Sequence, residues 1–195
     1  MDVVGYSKLL VEEQGELQQQ LAEIVQTTEQ VHAAEAAGKL IRIPAGDGMA
    51  LVFFNNPEAP VRCALEISKK LAESPRLQLR MGIHSGPVNQ IRDANGRANV
   101  AGAGINTAQR VMDCGDAGHI LLSQHIAEDL KHYRQWQPHL HDLGECEVKH
   151  GARIQVINLY DGETGQSRIA AEVPTRKGPE KSVAEGSFRI RHEFR

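Results

Sequence analysis

Leu40-Ile41-Arg42-Ile43-Pro44-Ala45-Gly46-Asp47-Gly48-Met49-Ala50-Leu51-Val52-Phe53-Phe54 sets Asp-Gly between two apolar runs, and that arrangement is the strongest short-range signal for a β-hairpin. It predicts strands within residues 39–54, with Asp47 carried at a rigid tip. A second aspartate, Asp2, opens a separate short apolar run, Met1-Asp2-Val3-Val4-Gly5-Tyr6. Two carboxylates on neighbouring strand ends form a donor set for the Mg²⁺ ions that accompany a nucleoside triphosphate.

Upstream of the hairpin, residues 7–38 are polar, Gln- and Glu-rich and free of proline. Leu10, Leu17, Leu21, Ile24, Thr28 and Val31 recur there at helical spacing, which predicts one long or two shorter amphipathic helices laid on a sheet. Downstream, residues 57–71 read as a helix opened by Pro57, and Leu77, Leu79, Met81 and Ile83 alternate with polar or small residues as in a half-buried strand. A glycine-rich stretch, 99–104, leads into a helix over 105–112. A strand at 119–122, a helix from a Ser123 cap to about Leu130, and strands at 143–149 and 153–160 complete the pattern. Strands and helices mix without strict βαβ alternation, so the predicted class is α+β, with helices packed on a largely antiparallel sheet. Residues 1–161 form the predicted domain. Residues 162–195, where the apolar periodicity stops, read as a flexible tail or linker.

With 195 residues, 41% of them hydrophobic and 24% charged, the chain can bury a proper core. A net charge of −3 supplies no basic field to gather nucleic acid or an anionic membrane. No run approaches the roughly 20 apolar residues of a membrane span, and the N-terminus lacks a secretory layout. Cys63, Cys114 and Cys146 are odd in number and without C-x-x-C spacing, which argues against a disulfide framework or a zinc site and for free thiols in a reducing cytoplasm.

Phosphate chemistry needs carboxylates for metal ions, donors for phosphate oxygens, and a group placed at the developing charge. Asp2 and Asp47 are candidates for the first. The turn at Gly5-Tyr6, if it starts a helix, is a candidate for the second, and Asn106 and Arg110, four apart on one helical face, for the third. Plainer readings stand beside each. Asp47 also suits a turn, Asp2 also reads as a solvated terminal residue, and Asn106 and Arg110 also read as a helix cap and an exposed helical side chain.

The segments 2–7, 46–53, 80–88, 105–110 and 118–123, taken in order, resemble the successive signatures of class III nucleotidyl (adenylate/guanylate) cyclase catalytic domains. The resemblance runs from the first residue to about Tyr160. It implies a ferredoxin-like α+β domain that is active as a head-to-tail homodimer with shared sites. It further implies two Mg²⁺ or Mn²⁺ ions held at Asp2, the adjoining Val3 and Asp47, and Asn106 and Arg110 supplied by the partner chain. Lys149 matches a position that is often basic in the family, which implies a hold on the terminal phosphates, and it reads equally well as a solvated strand-end lysine.

The base-recognition positions depart from the family. Ile43 stands where adenylate-specific members carry lysine, and Asn99 where they carry aspartate or threonine. Ile43 offers no hydrogen bond to a base, whereas Asn99 has both donor and acceptor groups. The expected reaction is cyclisation of a nucleoside triphosphate, ATP by default, to its 3′,5′-cyclic monophosphate and pyrophosphate for signalling. The alternatives are a pyrimidine cyclase of anti-phage defence and a catalytically silent nucleotide-binding module.

Overall fold

The computed structural model describes residues 1–166 apart from 55, 149, 150 and 163. Nine strands and five α-helices follow in chain order: β1 (Asp2–Val3), α1 (Val11–Gln26), α2 (Glu29–Ala36), β2 (Leu40–Ala45), β3 (Gly48–Phe53), α3 (Glu58–Leu71), β4 (Leu79–Ile83), β5 (Asn89–Arg92), β6 (Ala98–Ala101), α4 (Ala103–Asp113), β7 (Ile120–Ser123), α5 (Gln124–Lys131), β8 (Leu140–Val148) and β9 (Ala152–Leu159). Seven strands form one sheet in the order β2-β3-β1-β4-β7-β9-β8. Only β4 and β7 run parallel within it, so the predicted α+β class with a largely antiparallel sheet holds. Pro44, which has no N–H to donate, sits in the edge strand β2.

Sheet alternation sorts the helices. Val3, Leu79, Met81, Ile83, Ile120 and Leu122 face a core built with Leu17, Leu21, Val25, Val31, Val61, Ile67, Ile126 and Leu130 from α1, α2, α3 and α5. Leu121 points the other way, into a smaller cluster with Val111, Cys114, Cys146 and Val156 under α4. The long helical prediction resolves into two helices broken at Thr27. Thr28, fully buried, returns its hydroxyl to the Ile24 carbonyl at 2.9 Å. Leu10, counted in the apolar stripe, lies outside α1 and is 69% exposed.

Several local readings are corrected. Pairing of Ala45 with Gly48 makes Gly46-Asp47 the hairpin loop, not Asp47-Gly48. Gly48 is required for another reason: a Cβ there would meet the Met1 carbonyl oxygen at 2.2 Å and the Asp2 Cα at 2.6 Å. Ser123 precedes α5 as expected, but its hydroxyl bonds His84 Nδ1 at 2.7 Å and caps nothing. Asn56 caps α3, accepting from the Glu58 and Ala59 amides at 3.0 and 2.9 Å. The β5–β6 hairpin went unpredicted because its strand residues are largely exposed and carry no apolar alternation.

The cysteine reading is also overturned. Cys114 and Cys146 are joined by a disulfide across 6.5 Å of Cα–Cα distance, tying the end of α4 to β8. Both are buried against the same apolar cluster, and a spacing of 32 residues gives no local motif to announce it. Cys63 remains a buried thiol, its pKa pushed up to about 12 by burial. Residues of the expected tail are still attached at its start: the Gly165 amide donates to Ser68 Oγ at 3.2 Å and Asn158 Nδ2 to the Gln166 carbonyl at 2.6 Å. The rest of that segment, 167–195, lies outside the described residues. Among the described residues no helix is long and apolar enough to cross a membrane.

Candidate active site

Asp2 lies in the two-residue strand β1, directly opposite Gly48 of β3 on one side and Arg80 of β4 on the other. Residues directly opposite one another project to the same face, here the α4 side, since Val3 and Leu79 take the core side. Arg80 grips Asp2 with both arms, Nε to Oδ1 at 2.8 Å and Nη2 to Oδ2 at 3.0 Å. The same Nη2 reaches Oδ1 of Asp113, the last residue of α4, at 3.3 Å. Gln109, one turn earlier, donates to that Asp113 oxygen at 3.3 Å.

Asp47 stands exposed in the β2–β3 loop, and its carbonyl accepts the Val3 amide at 2.8 Å. That bond and the Asp2–Gly48 pairing bring the two aspartate segments together, and both aspartates line one cavity of about 700 Å³. Carboxylates are hard oxygen donors suited to Mg²⁺ or Mn²⁺, and one or two of them with substrate phosphates and water complete a typical magnesium shell. Asp2 is only 7% exposed, and its charge is balanced by the Arg80 cation paired with it. The donor set therefore fits a divalent ion whose remaining shell positions are filled by water or by substrate phosphates. It does not make a closed metal cage, since no cluster of three or more His, Cys, Asp or Glu residues is present among the described residues.

Helix α4 forms the facing wall. Gly102, at φ 145°, turns the chain into it, and Gly82 lets it approach β4, where a Cβ would come within 2.5 Å of the Ala108 oxygen and Met112 nitrogen. Asn106 and Arg110 sit inside α4 at helical spacing, which excludes the cap reading of Asn106. Asn106 and Gln109 line the cavity together with Ile43; Arg110 does not.

The other candidates fall outside that lining. Asn99, in β6, accepts the Val100 amide on its Oδ1 at 2.7 Å. Gly5, at φ 77°, opens only a single 3₁₀ turn, Tyr6–Lys8, and α1 starts later at Val11. The expected helix start behind Gly5 and Tyr6 is therefore absent. Val3 is buried in the core, and Lys149 lies outside the described residues.

Three polar residues were missed. Arg80 in β4 and His84 just past its end alternate with apolar residues and looked like ordinary outward-facing strand positions. Asp113 looked like a helix-end residue. Only the register Asp2↔Arg80 and the docking of α4 on Gly82 reveal their partners. His84 lines the cavity, and its pKa is lowered by burial and by the neighbouring His125, whose ring centroid is 6.0 Å away.

The chain matches the sequence profile described as adenylate and guanylate cyclase catalytic domain over residues 2–160. No curated protein sequence is significantly similar to it. Among solved structures it resembles the adenylyl cyclase CyaB from P. aeruginosa, at 22% identity and TM-score 0.63 over 82% of this chain and 90% of that one. The guanylate cyclase domain of RhGC from Catenaria anguillulae, solved with GTP, gives 20% identity and TM-score 0.63 over 85% and 93%. An adenylate/guanylate cyclase/hydrolase from Silicibacter pomeroyi gives 25% identity and TM-score 0.60 over 83% and 93%. With the profile spanning residues 2–160, well over half of its length, this chain belongs to the family of adenylate and guanylate cyclase catalytic domains.

Proposed function

We propose that this chain converts a nucleoside triphosphate, ATP by default, into its 3′,5′-cyclic monophosphate and pyrophosphate, working as a homodimer with shared sites. The observation that carries this reading is that Asp2 and Asp47, 45 positions apart in sequence, line the same cavity. Bound divalent cations would supply Lewis-acid activation of the ribose 3′-hydroxyl and neutralise the triphosphate. Asp2 and Asp47 hold those ions, and Asp2 must first yield oxygens now bonded to Arg80. Asn106 orients the ribose, and Arg110 meets the charge that builds on the transferred phosphorus. Asn106 lines the cavity of its own chain while Arg110 does not, so Arg110 is the one of the pair that a second copy has to supply. A cytoplasmic setting and a signalling role go with this reaction.

Mixing Asp47→Ala with Arg110→Ala protein tests it. Each variant alone loses activity, and mixed dimers regain one intact site, so partial recovery is expected. No recovery from two folded, dimerising variants would overturn the shared-site mechanism.

A second reading, use of another base, is favoured by Ile43 on the cavity wall and by Asn99, whose oxygen is already partly engaged by the Val100 amide. An apolar wall and a partly engaged amide make a poor acceptor-plus-donor pair for the adenine edge. A thermal-shift panel of ATP, GTP, CTP and UTP with Mn²⁺, followed by product analysis, separates the two readings and also distinguishes binding without turnover from synthesis.

A further inference from the structure

One guanidinium nitrogen, Arg80 Nη2, serves two carboxylates at once: Asp2 Oδ2 at 3.0 Å and Asp113 Oδ1 at 3.3 Å. Resting on the reading of Asp2 as a cation ligand, we propose that Asp113 is a positioning residue for that site. It shares Arg80 with Asp2 and so keeps the guanidinium where Asp2 can exchange it for a divalent ion.

The cost of loading the site makes such a residue necessary. Asp2 is nearly buried, and Arg80 has only 26% of its side chain exposed. A cation arriving at Asp2 displaces the guanidinium, and a half-buried charge turned away from its partner carries a desolvation penalty. Asp113 removes most of that penalty because it is already bonded to the displaced group. Arg80 need only tilt its planar fork from one carboxylate toward the other. Gln109 braces Asp113 by donating to the same oxygen from one helical turn away, so the acceptor keeps its place during the exchange. Both residues belong to α4, the helix that also carries Asn106 and Arg110. Occupancy at Asp2 is thereby tied mechanically to the element that presents those two side chains.

The test measures Mn²⁺ affinity of the full chain without nucleotide, by titration calorimetry or by loss of the free-ion paramagnetic resonance signal. Asp113→Asn keeps the shape but removes the charge. It should weaken Mn²⁺ binding about tenfold, as expected for one charge-assisted hydrogen bond reduced to a neutral one. Asp113→Glu, which restores a carboxylate, should recover most of the loss. In an Arg80→Gln background Asp113→Asn should change nothing further, because Asp113 acts through Arg80. If Arg80→Gln does not fold, Arg80→Lys serves, since a compact ammonium lacks the planar fork that holds Asp2 through two nitrogens while reaching Asp113. An equal loss with and without Arg80 would reduce Asp113 to a distant field effect and overturn the proposal. So would unchanged affinity in folded Asp113→Asn protein. Absence of Mn²⁺ binding by the unmutated chain would remove the cation reading of Asp2 as well, which separates the two failures.

Discussion

Gly48 faces Asp2 across the β1–β3 ladder so closely that a methyl group at position 48 would lie 2.6 Å from the Asp2 Cα. The obstruction is backbone rather than a movable side chain. Gly48→Ala must therefore push β1 from β3 and carry the Asp2 carboxylate with it. The expected cost is about 1–3 kcal/mol, typical of overpacking, and thermal unfolding should show it. Mn²⁺ affinity should fall further than in Gly46→Ala protein, since a Cβ at position 46 meets nothing within 4 Å.

Asp47 offers the complementary case. It is exposed in its loop, so Asp47→Ala should leave the unfolding midpoint within about 0.5 kcal/mol of the parent, the usual range for surface changes. Cyclase activity, by contrast, should fall by at least about a hundredfold if the carboxylate holds a cation at the developing charge. Retained activity in folded protein would remove Asp47 from the site.

His84 makes stability depend on pH in a definite direction. Its folded pKa lies below the ordinary 6.5 through burial first and His125 second, so between those values the unfolded chain binds more protons than the folded one. Stability then rises with pH across that window, is fully present above about pH 6.5, and is lost as pH falls. Unfolding midpoints measured between about pH 5 and pH 8 should follow this slope, and His84→Gln should flatten it. An unchanged slope in the variant would assign the effect to another group.

The Cys114–Cys146 bond closes a segment of 32 residues. Chain-entropy reasoning puts its contribution at about 2–4 kcal/mol. Treatment with a dithiol reductant, or Cys146→Ser, should lower the unfolding midpoint accordingly. The loss should appear first in hydrogen exchange at the end of α4, where the staple sits. Protein with the same midpoint in both redox states would show the bond to be structurally idle.

The fold was legible wherever one face of an element is wholly buried. The β4 alternation and the amphipathic α3 follow from apolar spacing, because burial imposes the period, whereas the half-buried β2–β3 hairpin is announced by Asp-Gly between two apolar runs. It was not legible where partners come from far along the chain. Gly48 looked like a turn glycine because local chemistry cannot announce that β1 lies against it. The Arg80–Asp2 pair spans 78 positions and the Arg80–Asp113 pair 33, so no spacing rule joins them. Exposed β5 and β6 carry no burial period at all. The individual site candidates read no better than their plainer alternatives until the segments were taken together in order.

Base choice is the remaining question that a substitution can answer. Ile43 sits in β2 opposite Ala50 and lines the cavity without a polar atom to offer. Asn99 already accepts the Val100 amide on its oxygen, so it offers at most one further lone pair to an exocyclic amine. Sites discriminate strongly only when a wrong base leaves a buried polar group unpaired. The parent protein should therefore separate purine triphosphates by little more than about tenfold in kcat/KM, the scale of apolar fit. Introducing a donor on the cavity wall with Ile43→Lys, and a carboxylate acceptor with Asn99→Asp, should widen that ratio in favour of ATP. The measurement is competition between ATP and GTP with both cyclic products quantified. A parent enzyme that already rejects GTP by more than about a thousandfold, well beyond apolar fit, would mean that residues other than 43 and 99 read the base.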